Sequence, residues 1–335
     1  MIGWLKKTLL LSLLATLTAG GWFAWKVTSP LGLAADKVEF EVMPGSGMRT
    51  AARDIAAAGI DFPPWTLVVL GKLLRVEGAI KAGSYEIDRG TTLLDLLHKL
   101  TRGDVTQTDI AFIEGWNFRQ LRERLAAHPD VRHDTRDLSE IEIMRRLGAQ
   151  DGTNAAAEGW FFPDTYLFSK RSSDLDILAR AYHAMRRHLE QEWAQRSAGL
   201  PLTTPYQALV LASIVEKETG ADADRPLIAA VFHNRLKQGM PLQSDPTVIY
   251  GLGERFDGNL RKRDLVAESP YNTYLHTGLP PTPIAMPGLA SLRAVLHPAP
   301  SRALYFVARG DGSSHFSQTL EEHNQAVNRY QRGSR

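Results

Sequence analysis

Residues 208–220 constrain the fold more than any other stretch. Ala208-Leu209-Val210-Leu211-Ala212-Ser213-Ile214-Val215 is apolar nearly all round at helical period, and Glu216-Lys217-Glu218-Thr219-Gly220 then ends it in charge. A helix with no polar face must be covered on most sides, so the chain has to build a core around it. Its last turn carries two carboxylates and a lysine out of that core to the wall of a cleft. The two glutamates differ. Three, four and seven residues before Glu218 stand Val215, Ile214 and Leu211, so Glu218 continues the apolar stripe while Glu216 points roughly the other way. Gly220 reads as a left-handed cap, which puts Glu218 beside the unpaired carbonyls at the helix end. Burial and that negative end both disfavour the anion, so Glu218 is expected with a raised pKa, as a general acid near neutral pH requires. Lys217 opposes this if it folds over. The plainer alternative is a solvated, charged helix end.

The 335 residues suffice for two or three domains, and 44% hydrophobic content supplies the core. A net charge of +2 gives no reason to expect nucleic acid. Basic clusters at Arg119 to Arg146 and at Arg186-Arg187 are interleaved with acids or short, as on solvated helix faces. With no cysteines there can be no disulfide, thiolate metal site or cysteine nucleophile. The ten histidines form no H-E-x-x-H pair, and His297, His315 and His323 stand at no known ligand spacing, so no metal is expected. His233 reads as a structural or surface histidine. Gly251-x-Gly253 lacks the rest of a dinucleotide fingerprint, and there is no G-x-S-x-G nucleophile elbow. Carboxylate chemistry remains, with no cofactor.

The N-terminus sets the location. Lys6 and Lys7 precede an uncharged run from Thr8 to Trp25, close to the minimum length for a spanning helix, and Lys26 closes it. Trp22 and Trp25 fall where an interfacial belt would lie. A cleaved signal peptide is the alternative, with Ala19-Gly20-Gly21 as its cleavage site, but Trp22-Phe23-Ala24-Trp25 continues the run. The reading is an uncleaved single-pass anchor in the cytoplasmic (inner) membrane, N-terminus in the cytoplasm, with the body outside it.

The expected fold is α+β. Residues 1–7 form a cytoplasmic tail, 8–26 the transmembrane anchor and 27–37 a linker. Residues 38–105 follow the order strand (38–42), helix (48–58), helix (64–74), strand (83–87), then a helix over 91–100 with Leu93, Leu94, Leu96, Leu97 and Leu100 on its core side. This small βααβ module resembles LysM-type units that bind N-acetylated glycans. Residues 106–335 form a larger mixed α/β domain holding the buried helix. Within it a strand is expected over 109–113, helices over 118–127 and 174–198, and a charged, peripheral helical stretch from Pro129 to Asp151. A further helix spans 226–238 after Asp222 or Asp224, with a buried strand at 304–308, a hairpin turn at 310–312 and a closing helix.

Three segments carry candidate ligand groups. Glu158-Gly159-Trp160-Phe161-Phe162-Pro163-Asp164-Thr165-Tyr166 sets aromatic rings around carboxylates, which suits the apolar faces of sugars; a core loop with Asp164 capping a turn is the alternative. Leu242 to Gly253 is dense in hydrogen-bonding side chains. The prolines from Pro280 to Pro287 pre-set a loop of the kind that lines sites.

Six ordered motifs together resemble the endolytic murein transglycosylase family, the YceG-like proteins. They are 212–219; 158–166; Leu242-Gln243-Ser244-Asp245-Pro246-Thr247-Val248-Ile249-Tyr250-Gly251; Tyr271-Asn272-Thr273-Tyr274; Gly278-Leu279-Pro280-Pro281; and His315-Phe316-Ser317 through Glu322-His323-Asn324. Thr282 and Met286 depart from the Gly and Asn expected there. The resemblance implies cleavage of the MurNAc-β-1,4-GlcNAc bond within peptidoglycan strands to give 1,6-anhydro ends, by a lyase with a single catalytic carboxylate rather than the usual glycosidase pair. It places that group at Glu218, with substrate contacts expected from Glu216, Glu158, Asp164, Tyr166, Gln243, Ser244, Asp245, Thr247, Tyr250, Tyr271, Asn272, Thr273, Tyr274, Pro280, Pro281, His315, His323 and Asn324. Glu216 is alternatively a structural or tuning neighbour. The resemblance also implies a place beside the peptidoglycan polymerases, releasing nascent strands. A muramidase that hydrolyses the same bond and a non-catalytic glycan-binding scaffold are the alternative functions.

Overall fold

The computed structural model describes residues 2–149 and 156–332. Met1, Asp151 and residues 333–335, which enter the expected tail, helical stretch and C-terminal domain, fall outside them. The chain divides into two compact units: residues 1–108 with 167–172, and residues 109–166 with 173–335.

The first unit starts with helix α1 (Ile2–Thr28). Its stretch Lys6–Thr28, of mean hydropathy 1.4, is long and apolar enough to cross a membrane. The supposed linker is not loose chain. Val27 is buried, and Leu31 and Leu33 pack against the same core, because these apolar residues follow the charged Lys26 directly into the module. Strand β1 (Gly32–Leu33) is followed by β2 (Lys37–Val42), α2 (Met48–Ala57), β3 (Ile60–Asp61), α3 (Pro64–Leu73), β4 (Gly83–Asp88) and α4 (Leu93–Arg102). β2 and β4 pair antiparallel, Phe40 opposite Tyr85, as their alternating patterns lead one to expect. The short β1–β3 pair is an addition, since two-residue strands leave no periodicity to read. α4 is fixed at both ends: Thr92 and Asp95 form a reciprocal capping box, and Gly103 closes it at φ 75°. Its face of Leu93, Leu96, Leu97 and Leu100 is buried in one core cluster that also holds Tyr85, Ile87, Ile55 and Leu67, with Leu94 half-buried at the margin.

The second unit is mainly helical. The chain passes between the units within the paired strands β5 (Gln107–Ala111) and β6 (Thr165–Ser169). Between them lie α5 (Phe118–Ala126), capped reciprocally by Asn117 and Gln120, and α6 (Glu140–Arg146). The helical stretch expected from Pro129 is thus confined to α6. Thr135 is buried and donates to the buried Asp174 carboxylate from both its amide and its hydroxyl. Those bonds hold the segment around Thr135 in turns rather than a continuous helix; apart from the buried Val131 and Thr135, residues 129–138 are exposed or half-buried, as expected of a peripheral stretch.

There follow α7 (Asp174–Ala194), α8 (Pro205–Glu218), α9 (Arg225–Lys237), α10 (Asp245–Leu252), α11 (Lys262–Leu265), α12 (Leu289–Leu296), the antiparallel hairpin β7 (Tyr305–Ala308) and β8 (Ser314–Ser317), and α13 (Leu320–Val327). α8 packs against α12, α9, α7 and α10. Ala208 to Val215 are all buried, which is the covering that its apolar circumference demands.

A substitution on α4 measures how far the first unit depends on its leucine face. Leu97→Ala removes a fully buried side chain and should cost about 2–5 kcal/mol, read as a lowered midpoint of chemical denaturation; a change below about 0.5 kcal/mol would contradict the packing described.

Candidate active site

Glu218 ends α8, on the stripe of Leu211, Ile214 and Val215, each 0% exposed. The helix does not finish as expected. Thr219 is the C-cap, extended at φ −150° and ψ 140°, and Gly220 has no positive φ; the chain leaves the helix by straightening, so no left-handed residue is needed. Glu218 keeps partial exposure, but its carboxyl is surrounded by protein. Burial pushes its pKa up to about 7; the Asp245 charge adds to this, while the Ser244 hydrogen bond and the Arg235 charge oppose it. Lys217 turns away, donating to the carbonyl of Gly115 at 3.1 Å.

Ser244 is the direct partner: its hydroxyl donates to Glu218 Oε1 at 2.5 Å. It sits at the N-cap of α10, a helix the sequence reading had not resolved within its polar stretch. The hydroxyl is spent on Glu218 rather than on the helix, and no side-chain cap bond forms. Other groups hold Ser244 instead. Its amide donates to Thr273 Oγ1 at 3.0 Å, Thr247 Oγ1 lies 2.8 Å from Thr273 Oγ1, and Thr247 Oγ1 also donates to the Ser244 carbonyl. Thr247 and Thr273 are buried, so they position Ser244 and present no free group to a ligand. Gln243 is exposed and held at φ 51°, an unusual conformation for a residue with a side chain.

Arg235 is the residue that sequence reasoning missed. Buried at the end of α9, it donates to the carbonyls of Leu242 and Leu304, both at 2.7 Å, and to Gln243 Oε1 at 3.3 Å. Its guanidinium lies 5.2 Å from the Tyr305 ring centroid. One signal could have found it: Ile228, Val231, Phe232 and Arg235 share helical spacing, so this arginine continues a buried stripe just as Glu218 does. His323 stacks on Tyr305 with centroids 5.2 Å apart; burial, followed by the nearby Arg235 charge, lowers its pKa. His315 packs beside Tyr330, and Asn324 is exposed on α13.

A second carboxyl has a shifted pKa. Glu158, 6% exposed, accepts from the Phe118 amide at 3.1 and 3.2 Å and from the Tyr250 hydroxyl at 3.0 Å. Burial raises it to about 7 against these bonds, which lower it. Glu158, Tyr250 and Tyr271 line a cavity of 930 Å³ with Phe118, Arg119, Lys217 and Pro246 among others. Glu218 does not line it, and Lys217 brings the end of α8 to its wall. α10 therefore joins the two carboxyls, holding Glu218 through Ser244 and Glu158 through Tyr250. Tyr271 packs edge-on to Tyr250 and shares a hydrogen bond with Thr282. Tyr274 donates to the exposed Asp245 at 2.6 Å.

Several expected ligand groups are committed elsewhere. Tyr166 is buried against Phe112 and gives its hydroxyl to the Phe162 carbonyl. Asp164 is exposed and accepts from the adjacent Thr165 amide at 2.7 Å. Trp160 and Phe161 are core residues, stacked on Tyr206 and Phe118 respectively, and cannot offer faces to a sugar. Asn272 is 0% exposed and uses its whole amide on the backbone, donating to Leu265 and Ala267 and accepting from Tyr274. Pro280 is buried and Pro281 exposed, its carbonyl accepting from Tyr206. His233 lies in the core with Nε2 2.7 Å from the Val295 carbonyl. Glu216 accepts from the Gly288 amide at 2.9 Å and sits near Glu114, whose pKa is raised by burial and then by Glu216. A Cβ on Gly288 would stand 1.9 Å from Glu114 Oε1, so only glycine allows that approach. Glu216 thus ties α8 to the proline-rich loop.

The raised pKa values have a stability consequence. A carboxyl with a folded pKa near 7 binds more protons in the native than in the unfolded state between about pH 4.5 and 7. Stability therefore falls as pH rises through that window. Glu218→Gln and Glu158→Gln should each be more stable than the parent at about pH 8, by about 1–3 kcal/mol after allowance for solvent screening, and nearly unchanged at about pH 4. Denaturation at the two pH values checks this; equal effects at both would contradict it.

The arrangement offers a protonatable carboxyl at a helix end, fixed by one hydroxyl, and a second carboxyl on a cavity wall. The comparisons with known proteins agree with one another. The model of the YceG-like family matches residues 40–329. An endolytic murein transglycosylase of Bacillus subtilis is 34% identical over 264 residues, covering 75% of this chain and 73% of that protein. One from Streptococcus pneumoniae is 27% identical, covering 94% of this chain and 63% of the relative. A crystal structure of a YceG-like protein from Listeria monocytogenes superposes with a TM-score of 0.55 at 28% identity, over 87% of this chain and 98% of that one. The chain belongs to the YceG-like family.

Proposed function

We propose that this chain is a peptidoglycan lytic transglycosylase, its relatives from Bacillus subtilis and Streptococcus pneumoniae being named endolytic murein transglycosylases, and that Glu218 is its acid and base. The observation that carries the assignment is the Glu218 carboxyl itself, protonatable near neutral pH and aimed by Ser244. In the reaction Glu218 gives its proton to the oxygen of the leaving N-acetylglucosamine as the C1–O4 bond breaks. The resulting carboxylate then takes the proton of the muramoyl 6-hydroxyl as that oxygen bonds to C1. The product ends in a 1,6-anhydro ring, and no water is consumed. Ser244 favours the carboxylate between the two transfers, and burial favours the acid before the first.

Glu158, Tyr250 and Tyr271 line the space that would take flanking sugar, and Gln243, Asp245 and Tyr274 lie beside Ser244. The apolar α1 serves as a single-pass anchor in the cytoplasmic membrane, with the rest of the chain outside it. The β2–β4 pair with intervening α2 and α3 supports reading the first unit as a LysM-like module, which would bind glycan or space the site from the membrane. The polymerases of peptidoglycan are the expected neighbours. One observation favours a second reading: Glu158 places a second carboxyl on the cavity wall, and in its ionised form it would be the base that a hydrolase needs.

Mass spectrometry of digested peptidoglycan separates these readings. The parent protein should leave anhydro ends; reducing ends would indicate hydrolysis, and no cleavage a binding scaffold. Glu218→Gln should lose at least about 100-fold in rate, while Glu216→Gln retains measurable cleavage. The pH profile tests the tuning. Because the acid must start protonated, kcat/KM should fall as pH rises through about 7. Ser244→Ala removes a bond that lowers the Glu218 pKa, so its alkaline limb should move to higher pH; a downward shift would contradict the assignment.

A further inference from the structure

The outward face of α3 is unlike that of a water-facing helix. It presents Trp65, Val69 and Leu73, exposed at 51%, 36% and 67%, with Val68 half-buried beside them. Lys72 is the one charge on that arc, and the opposite side, Thr66, Leu67, Leu70 and Gly71, is buried in the unit. A helix packed on a core by one side and bathed in water on the other carries polar residues outside; α3 is apolar on both.

Its place in the unit indicates what covers it. The Trp65 ring stacks on Trp22 at 6.3 Å and 20° and on Phe23 at 6.4 Å and 27°. Both partners belong to the last turns of α1, where Trp22 and Trp25 are exposed. Val27, at the end of the same helix, is buried in the unit's core. The end of the apolar helix and the start of α3 are therefore one continuous apolar surface. The ten residues of α3, from Pro64, run for about 15 Å, and the basic Lys72 and Arg75 stand at the far end.

We propose that Trp65, Val69 and Leu73 lie in the headgroup layer of the bilayer that α1 crosses, so that the first unit is held to the membrane surface by α3 as well as by its anchor. The proposal rests on the reading of α1 as membrane-spanning. Tryptophans at the anchor's end mark the interfacial depth; Lys72 and Arg75 have the reach to place their charges among lipid phosphates while their stems stay with the apolar face.

The absence of cysteine allows single labels. Leu14→Cys, Val69→Cys and Leu73→Cys, each in the full chain and carrying an environment-sensitive fluorophore, are reconstituted in vesicles of phosphatidylethanolamine and phosphatidylglycerol. Labels at 69 and 73 should emit to the blue and be quenched several-fold more by a shallow nitroxide lipid than by aqueous iodide, and the label at 14 by a deep nitroxide lipid. If 14 is lipid-embedded while 69 and 73 are open to iodide, α3 faces water and the proposal fails. Shielding of 69 and 73 from both quenchers means a protein covers the face, and the proposal fails as well. If 14 itself is open to iodide, the anchor reading fails and takes this inference with it.

Discussion

The second unit depends on taking one carboxyl out of water. α8 is covered on every side from Ala208 to Val215, and Glu218 is the next residue on its most buried stripe. An ionised carboxylate loses much of its hydration there, and the group responds by keeping its proton toward neutral pH. The apolar helix is thus both the core of the unit and the source of the acid's reactivity. Had α8 been amphipathic in the usual way, its last glutamate would stand in solvent with an ordinary pKa.

A buried acid also has to be aimed, and that is the role of the segment from Leu242 to Tyr250. Arg235 fastens its start by backbone carbonyls, Thr247 and Thr273 fasten Ser244, and Ser244 reaches Glu218. Each link uses a polar group buried with a partner, so disturbing one leaves another unsatisfied. The last turn of the same helix carries Tyr250, bonded to Glu158. Two carboxyls with pKa values near 7 are consequently held by opposite ends of one two-turn element. The charge of Arg235 tempers this on the Glu218 side by favouring the anion, as the Ser244 hydroxyl does.

Much of this was legible in the residues, and the parts that were not have physical reasons. α8 could be read because a run from Ala208 to Val215 broken only by Ser213 leaves few alternatives, and β2, β4 and α4 because their periods are clean. α10 was hidden by its polar content: Ser244, Asp245 and Thr247 look like ligand groups, yet Ser244 and Thr247 are buried polar partners. Asn272 misled in the same way, since an amide that binds backbone and one that binds substrate have the same letter. The rings of Trp160, Phe161 and Tyr166 went to the core because Gly159, at φ 80° with Pro283 2.5 Å from where its Cβ would be, folds that loop tightly against the proline segment. Arg235 was overlooked because a basic residue in a last helical turn normally signals solvent and dipole, and only its place on the Ile228 stripe says otherwise.

Everything proposed for the reaction requires that Glu218 hold its proton to about neutral pH before any substrate binds. Titration of the side-chain carboxyl carbons by NMR in the glutamate-labelled protein measures this directly, with Glu218→Gln and Glu158→Gln spectra to assign the signals of these two residues. The signal lost in Glu218→Gln should titrate with a midpoint near 7. A midpoint near that of an exposed glutamate, about 4.3, would contradict it, because the buried end of α8 would then not be what prepares the acid.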